Sequence, residues 1–182
     1  MKRHELKIAL KAAARVAHES EFFVIGSQAI HAQCKHPPAE VLLSQECDLY
    51  PRTQLQAAEL LDRELGRNSA FARKHGFYVD VVTPEIASLP EGWEKRVKRL
   101  CVGRITASCL EIHDLLASKL AAGRLKDLEL AGAVLKFRLA NLRTLRARLS
   151  KLFPVSASEQ AFSSLTAVLR EVNRPARAGK AR

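Results

Sequence analysis

Apolar residues near the start of the chain recur at the spacing of an α-helix and then give way to a short apolar run. Residues 6–17 carry apolar positions three or four apart, which predicts a helix. Residues 22–25 (FFVI) are aromatic and β-branched and stop at Gly26, which is typical of a buried strand. Helix-compatible residues 27–33 follow, with Ser27 as the predicted cap. The pattern predicts a strand, a tight turn and a helix.

Further strands and helices follow along the chain. Acidic and apolar residues alternate over 46–50, which predicts a second strand, and 77–82 (FYVDVV) has the clearest strand pattern. Between these two segments, 54–65 has helical spacing. A turn at Gly103 predicts a hairpin over 99–106.

From residue 110 onward the pattern is helical, with breaks at Gly123, at 140–141 and at Pro154. The chain therefore predicts an α+β fold, in which a small half with a mixed sheet precedes a helical half. The predicted units are an α/β core, a helical subdomain and a basic, mobile tail, at residues 1–108, 109–172 and 173–182.

Charge is distributed unevenly along the chain. The 182 residues carry a formal net charge of +11, and residues 136–182 alone contain eleven Lys or Arg against two Glu. Clustered cations bind polyanions by releasing counterions from phosphates, so this region predicts a nucleic-acid partner such as RNA. A solvated helical face is the alternative interpretation of the same charges.

Composition excludes several other classes of protein. A hydrophobic content of 47% is enough for a substantial core. No apolar stretch reaches the roughly 18 residues of a membrane span, and the first residues lack the pattern of a signal peptide. We therefore expect no membrane association and a cytoplasmic location. The four cysteines form no CxxC pair, so we expect reduced thiols.

Three acidic residues lie in or beside predicted strands. Glu46 and Asp48 are two apart in a strand, so their side chains point to the same face. Two adjacent carboxylates repel one another unless a cation lies between them, and Mg²⁺ prefers such hard oxygen ligands. Asp80 lies among apolar residues of the next strand, and three carboxylates converge if the strands are neighbours. Ordinary edge-strand acids that face solvent are the alternative.

A possible phosphate site precedes these acids. Gly26 stands at the turn between the predicted strand and helix, where a glycine lets backbone N–H groups approach a phosphate closely. A phosphate cradle and metal-binding carboxylates are the two parts of a phosphoryl-transfer site.

These segments together resemble the signature of the polymerase-β-like nucleotidyltransferase superfamily. Residues 23–30 (FVIGSQAI) are followed about twenty residues later by 46–49 (ECDL). Residues 117–128 (ASKLAAGRLKDL) are similar to a helical segment of the branch that contains the AbiEii-type toxins and minimal relatives. The resemblance covers residues 20 to about 135 and implies a palm-like core.

The resemblance also implies a role for each matching residue. Glu46 and Asp48 would bind the Mg²⁺ or Mn²⁺ ions, and Asp80 would complete the metal site and help activate the acceptor hydroxyl. Asp127 would lie near the acceptor. The nucleoside triphosphate would be bound by backbone and cationic groups, namely Gly26, Ser27, Lys119, Arg124 and Lys126. Two positions depart from the commoner pattern, because Ser27 replaces a glycine and Glu46 replaces an aspartate.

Three functions follow as hypotheses. The first is a nucleotidyltransferase that acts on an RNA, such as tRNA, or on a protein hydroxyl, as the toxin of a toxin–antitoxin pair with an antitoxin protein as partner. The second is a catalytically inactive module of the same fold that binds nucleic acid or a partner protein through its basic C-terminal helices. The third, a small-molecule nucleotidyltransferase that modifies antibiotics, predicts an acidic acceptor pocket, which this basic chain does not indicate.

Overall fold

Five short strands form one mixed sheet within residues 1–83 and 86–174, the part of the chain that the computed structural model describes. In chain order the strands are β1 (Glu21–Val24), β2 (Glu46–Pro51), β3 (Tyr78–Val81), β4 (Lys98–Val102) and β5 (Ile105–Cys109). Their order across the sheet is β3-β2-β1-β5-β4. β1 is antiparallel to β2 and parallel to β5, and β2 is parallel to β3. The predicted strands are thus confirmed, each within a residue or so of its expected bounds.

The predicted hairpin is also confirmed and is longer than expected. β4 and β5 pair antiparallel over their whole length. Gly103 lies in the turn with φ +63°, a left-handed conformation that favours glycine.

Eight α-helices occur in the described residues: α1 (Arg3–Ala17), α2 (Ala39–Leu43), α3 (Ala58–Leu65), α4 (Ala70–His75), α5 (Ile112–Ala122), α6 (Leu125–Lys136), α7 (Leu142–Leu149) and α8 (Val155–Val172). The predicted breaks in the helical half are confirmed. Gly123 ends α5 in a left-handed conformation, Asn141 caps α7, and Pro154 precedes α8. The α+β fold is therefore as expected, with a mixed sheet first and helices after it.

The helix predicted after the first strand is wrong in type and in its cap. Residues Ser27–Ala32 form a 3₁₀ helix, and Gly26, not Ser27, is its N-cap residue. Tertiary contacts fix this segment, since Gln28 Nε2 donates to Val41 O at 3.5 Å. The predictions also missed α2 and α4, which are too short to show a helical period.

A single cluster of buried hydrophobic residues extends through both halves of the fold. It includes Phe22 and Val24 of the sheet and Leu115 and Leu165 of the later helices. The expected boundary after residue 108 falls inside β5, and the division into units stays a prediction. The expected tail lies outside the described residues except for 173 and 174. Within the described chain, no helix is both long enough and apolar enough to cross a membrane.

Candidate active site

The parallel pairing of β2 with β3 brings the three predicted acids together. Register places Asp48 opposite Asp80, and Glu46 lies one alternation along the same face of β2. One carboxylate oxygen of each of the three residues lies within 4.8 Å of the others. Glu46 and Asp48 are half-buried, whereas Asp80 is exposed at the open side of the cluster. We call these three side chains the carboxylate cluster.

Gly26 lies directly against this cluster. β1 ends beside β2, where the Ile25 N–H donates to the Asp48 carbonyl oxygen at 3.0 Å. A Cβ atom built on Gly26 would lie 1.8 Å from Asp48 Oδ2, a distance that no real pair of atoms tolerates. The Asp48 carboxylate therefore occupies the space that a side chain at residue 26 would need, and only glycine fits there. This close approach, and not a positive φ, accounts for glycine at the turn.

The pKa values of the three carboxylates shift in different directions. Burial raises the pKa of Asp48 to about 6, and although Lys119 opposes the shift, the charges of Glu46 and Asp80 add to it. Burial also raises the pKa of Asp80, with the charge of Glu46 as the next cause. At Glu46 the effect of burial is outweighed by the hydrogen bond and charge of Lys126, so its pKa is lowered. The negative charge at Asp48 and Asp80 is thus incompletely balanced.

The cations predicted from α5 and α6 surround the cluster and bind acids themselves. Lys126 Nζ donates to Glu46 Oε1 at 2.8 Å. Lys119 is buried with its Nζ 3.3 Å from Asp127 Oδ1, and Arg124 Nε donates to Asp127 Oδ2 at 2.6 Å. Asp127, only 2% exposed, therefore links Lys119 to Arg124. Within the described residues, the Asp48 side chain forms no direct ion pair or hydrogen bond.

Sequence reasoning missed Tyr78 and Arg67. The Tyr78 hydroxyl donates to Glu46 Oε2 at 3.2 Å. The same hydroxyl accepts a hydrogen bond from Arg67 Nη2 at 2.5 Å, and the Arg67 guanidinium lies 5.0 Å from the Tyr78 ring centroid. The signal was available, because Tyr78 is two residues before Asp80 in a strand and so shares its face.

Two cavities lie beside the carboxylate cluster, and Glu46 and Lys119 line both of them. The first has a volume of about 320 Å³ and is also lined by Ser27, Lys126 and Asp127. The second has a volume of about 400 Å³, and its lining includes Asp48, Asp80 and Arg124. Of the predicted site residues, only Gly26 lines neither cavity, since it is covered by Asp48.

Comparisons with known proteins give one match. The family model described as a nucleotidyltransferase of unknown function (DUF6036) matches residues 4–177, nearly the whole chain. Searches of curated proteins and of solved structures gave no match. The match does not depend on the site geometry, and it supports a nucleotidyltransferase family. The chain therefore belongs to the DUF6036 family of nucleotidyltransferases.

Proposed function

We propose that this protein transfers a nucleotidyl group from a nucleoside triphosphate to a hydroxyl of an RNA or a protein, with Mg²⁺ or Mn²⁺ as cofactor. One observation carries the proposal: three carboxylates from two paired strands converge beside a glycine and line one cavity, and Glu46 also lines a second. Two cavities that share Glu46 and Lys119 suit a reaction between two substrates. Membership in a nucleotidyltransferase family supports the same reaction class.

The donor set fits a hard divalent cation. Glu46, Asp48 and Asp80 offer oxygen ligands only, and their mutual repulsion favours a cation among them. When bound, the cation would neutralise charge that develops on the reacting phosphate and orient its oxygens. Tyr78 and Lys126 each bind one oxygen of Glu46, so they hold its longer side chain in a fixed orientation.

We assign the triphosphate to the first cavity. Its lining supplies the Ser27 hydroxyl and the ammonium groups of Lys119 and Lys126, which would bind the phosphate oxygens. Lys126 is more than half exposed, so its ammonium group can move from Glu46 to a phosphate, and the bound cation would then balance the Glu46 carboxylate. Asp127 holds Lys119 and Arg124 in place, and we assign it this positioning role.

The acceptor belongs in the second cavity, where Asp80 is exposed. The acceptor oxygen would form a bond to the α-phosphorus, the bond from that phosphorus to the bridging oxygen would break, and pyrophosphate would leave. The acceptor proton would pass to Asp80. A carboxylate whose pKa is raised by burial and by Glu46 is a better base for this step than an ordinary aspartate.

Nucleotide transfer can be tested directly. The wild-type protein is incubated with each labelled nucleoside triphosphate, Mg²⁺ or Mn²⁺ and total cellular RNA, and both RNA and protein fractions are examined for label. We expect label from the wild type and from the control Glu59→Gln/Glu159→Gln, which removes two exposed acids without hydrogen-bond partners in the described residues. Glu46→Gln and Asp48→Asn should give none. No label from the wild type with either metal would instead favour the inactive binding module.

We also propose the finer assignment that residues 117–128 suggest, a toxin of the AbiEii-type branch with an antitoxin protein as its partner. A toxin that acts by nucleotide transfer inhibits growth only when its active site is intact. Expression of the wild type in a bacterial host should therefore slow growth, whereas equal expression of Asp48→Asn should not. Equal growth of the two cultures would refute the toxin role and leave the transfer reaction untouched.

A further inference from the structure

A cavity outside the carboxylate cluster is lined mainly by cations. It lies at the N-terminal end of α5 and has a volume of about 420 Å³, within the range of ligand clefts. Four cations from three parts of the chain line it: Lys95, Arg96, Lys98 and Arg148. They come from a 3₁₀ helix (Trp93–Arg96), from β4 and from α7. We call it the cationic cavity.

Two of its arginines form ion pairs with one buried acid. Asp114 is fully buried, and Arg96 binds it through two hydrogen bonds, Nε to Oδ2 at 2.8 Å and Nη2 to Oδ1 at 3.0 Å. Arg148 Nε lies 3.2 Å from Asp114 Oδ1. The Arg96 guanidinium is therefore already ordered, so a ligand would not have to immobilise it. Arg148 is paired with Asp114 by charge alone, because its buried Nε makes no hydrogen bond in the described residues.

These arginines keep donors that no other group uses. Within the described residues, Arg96 Nη1 and both Nη atoms of Arg148 make no hydrogen bond. One arginine is enough to neutralise the buried carboxylate of Asp114. The second guanidinium therefore adds a positive charge that the fold does not need for neutrality. Unused donors on arginines at one cavity favour an oxyanion as ligand.

The remaining charges make the excess larger. Lys95 and Lys98 are exposed and form no ion pair within the described chain. The single lining carboxylate, Glu111, is already occupied, because it accepts hydrogen bonds from His113 Nδ1 at 2.7 Å and from the His113 backbone N–H at 3.0 Å. Glu111 and the buried Asp114 together oppose four lining cations, so the cavity keeps a net positive charge.

We propose that the cationic cavity binds a backbone phosphate of a single-stranded RNA acceptor whose reacting hydroxyl lies at the carboxylate cluster. The placement of that hydroxyl rests on the proposed function, whereas the phosphate contact does not. His113 and Lys119 lie at opposite ends of α5, six residues or about 9 Å apart along its axis. A stacked strand rises about 3.4 Å per nucleotide along its axis, so a strand that reaches both places would span at least two to three nucleotides. RNA supplies both a hydroxyl and an anion at each such step.

Binding is measured in EDTA without any triphosphate, by the fluorescence anisotropy of a short labelled single-stranded RNA. The test variant is Lys95→Gln/Lys98→Gln, and the matched control is Lys7→Gln/Lys11→Gln, which removes the same charge from exposed lysines of α1. We expect the test variant to bind about tenfold more weakly and its salt dependence to fall by about 0.7 in log–log slope, the value for one phosphate, while the control changes little. Circular dichroism and melting temperature verify that both variants are folded.

Equal affinities of the test and control variants would overturn the inference. So would displacement of the RNA by inorganic phosphate at the same phosphate concentration, or by polyglutamate at the same charge concentration, which would indicate a free anion or an acidic polypeptide. If the wild type transfers no nucleotide but RNA binding still requires Lys95 and Lys98, the proposed function fails and the cavity stands. If transfer occurs and the lysines make no difference to binding, the cavity alone fails.

Discussion

The acidic side chains near the two ends of α5 differ in how many cations they are paired with. At the N-terminal end, Asp114 is fully buried and two arginines bind it directly. Near the C-terminal end, the carboxylate of Asp48 lies close to Glu46 and Asp80, and no cation within the described residues forms a direct ion pair with it. One region has more cations than its acid requires, and the other has more acids than its cations balance.

The difference separates an acid that stabilises the fold from acids that await a ligand. Burying an ionised carboxylate is costly unless ion pairs and hydrogen bonds replace its water, and Asp114 meets that condition. Asp48 does not, and burial together with its acidic neighbours raises its pKa to about 6. Uncompensated charge of this kind concentrates at functional sites. Four substitutions test this distinction, in decreasing order of expected effect.

Asp48→Asn should produce the largest change, with opposite effects on activity and stability. Loss of a metal ligand should lower nucleotide transfer by about 10³-fold. Stability should increase in EDTA at pH 7.5, by on the order of 1 kcal/mol, because the variant no longer buries a carboxylate beside two others. Transfer of labelled nucleotide and thermal melting with and without Mg²⁺ measure the two effects.

The pH dependence of that stability difference has a defined sign. Burial raises the pKa of Asp48 to about 6 from a usual value of 3.8, so the folded state holds this proton more tightly than the unfolded chain does. The contribution of this group to stability is therefore present at low pH and is lost as pH rises toward 6 and above. The advantage of Asp48→Asn should vanish near pH 4. A variant that is less stable than the wild type in EDTA would mean that Asp48 has a structural role instead.

Asp114→Asn should do the reverse, with a large loss of stability and, at saturating RNA, little change in transfer activity per folded molecule. Removing the shared charge leaves Arg96 and Arg148 without their partner, and breaking a buried ion pair costs about 3 kcal/mol. Urea unfolding measures the loss, with the exposed Glu59→Gln as a control that should stay within about 0.5 kcal/mol. If Asp114→Asn has the same free energy of unfolding as the control, Asp114 does not stabilise the fold, and the distinction from Asp48 fails.

Gly26→Ala tests whether the carboxylate cluster depends on the close backbone approach. The new Cβ atom would lie 1.8 Å from Asp48 Oδ2, so this carboxylate must move, and a misplacement of about 1 Å can reduce activity by about 10²-fold. Gly132→Ala is the matched control. Gly132 lies within α6, and the atom nearest to its new Cβ would be 3.7 Å away, an ordinary contact. The control should keep its activity and gain about 0.5–1 kcal/mol from helix propensity. Full activity in Gly26→Ala would show that Asp48 has room to adjust.

Local patterns were sufficient to predict most of the fold. Strands with β-branched and aromatic residues, and helix ends at Gly123 and Pro154, have physical signals within a few residues of sequence. The helix α4 had such signals too, since Ser69 accepts from the Ala72 N–H and Gly76 ends it with φ +75°. Its six residues span less than two turns, so no periodicity made it visible.

The candidate site was predictable only in part. Alternation in β2 placed Glu46 and Asp48 on one face, but the meeting with Asp80 required the parallel pairing of β2 and β3. The ion pair of Lys126 with Glu46 joins residues 80 apart, and no local pattern specifies such a contact. Ser27 was expected to cap an α-helix, yet long-range contacts fixed a 3₁₀ helix there. Local chemistry identifies the groups, and tertiary packing decides their partners.

Tyr78→Phe should have the smallest of the four effects, and it separates positioning from packing. The substitution keeps the ring beneath Arg67 but removes the hydrogen bond that the hydroxyl donates to Glu46 Oε2. Groups that orient a metal ligand contribute about tenfold to metal affinity, so the Mg²⁺ concentration for half-maximal activity should rise by about that factor. A purely structural role would lower the melting temperature and leave this midpoint unchanged.

The partner of Tyr78 completes this test. Arg67 contacts the tyrosine hydroxyl and not the carboxylate, so Arg67→Gln should shift the Mg²⁺ midpoint less than Tyr78→Phe does. Because Arg67 acts through that hydroxyl, the double variant should match Tyr78→Phe alone, a non-additive result expected of residues in one network. Additive shifts would instead mean that the charge of Arg67 acts on the carboxylate cluster across space. In that case the metal affinity of the cluster would depend on the sum of the surrounding charges, as the pKa of Asp48 does, and not on one oriented hydrogen bond.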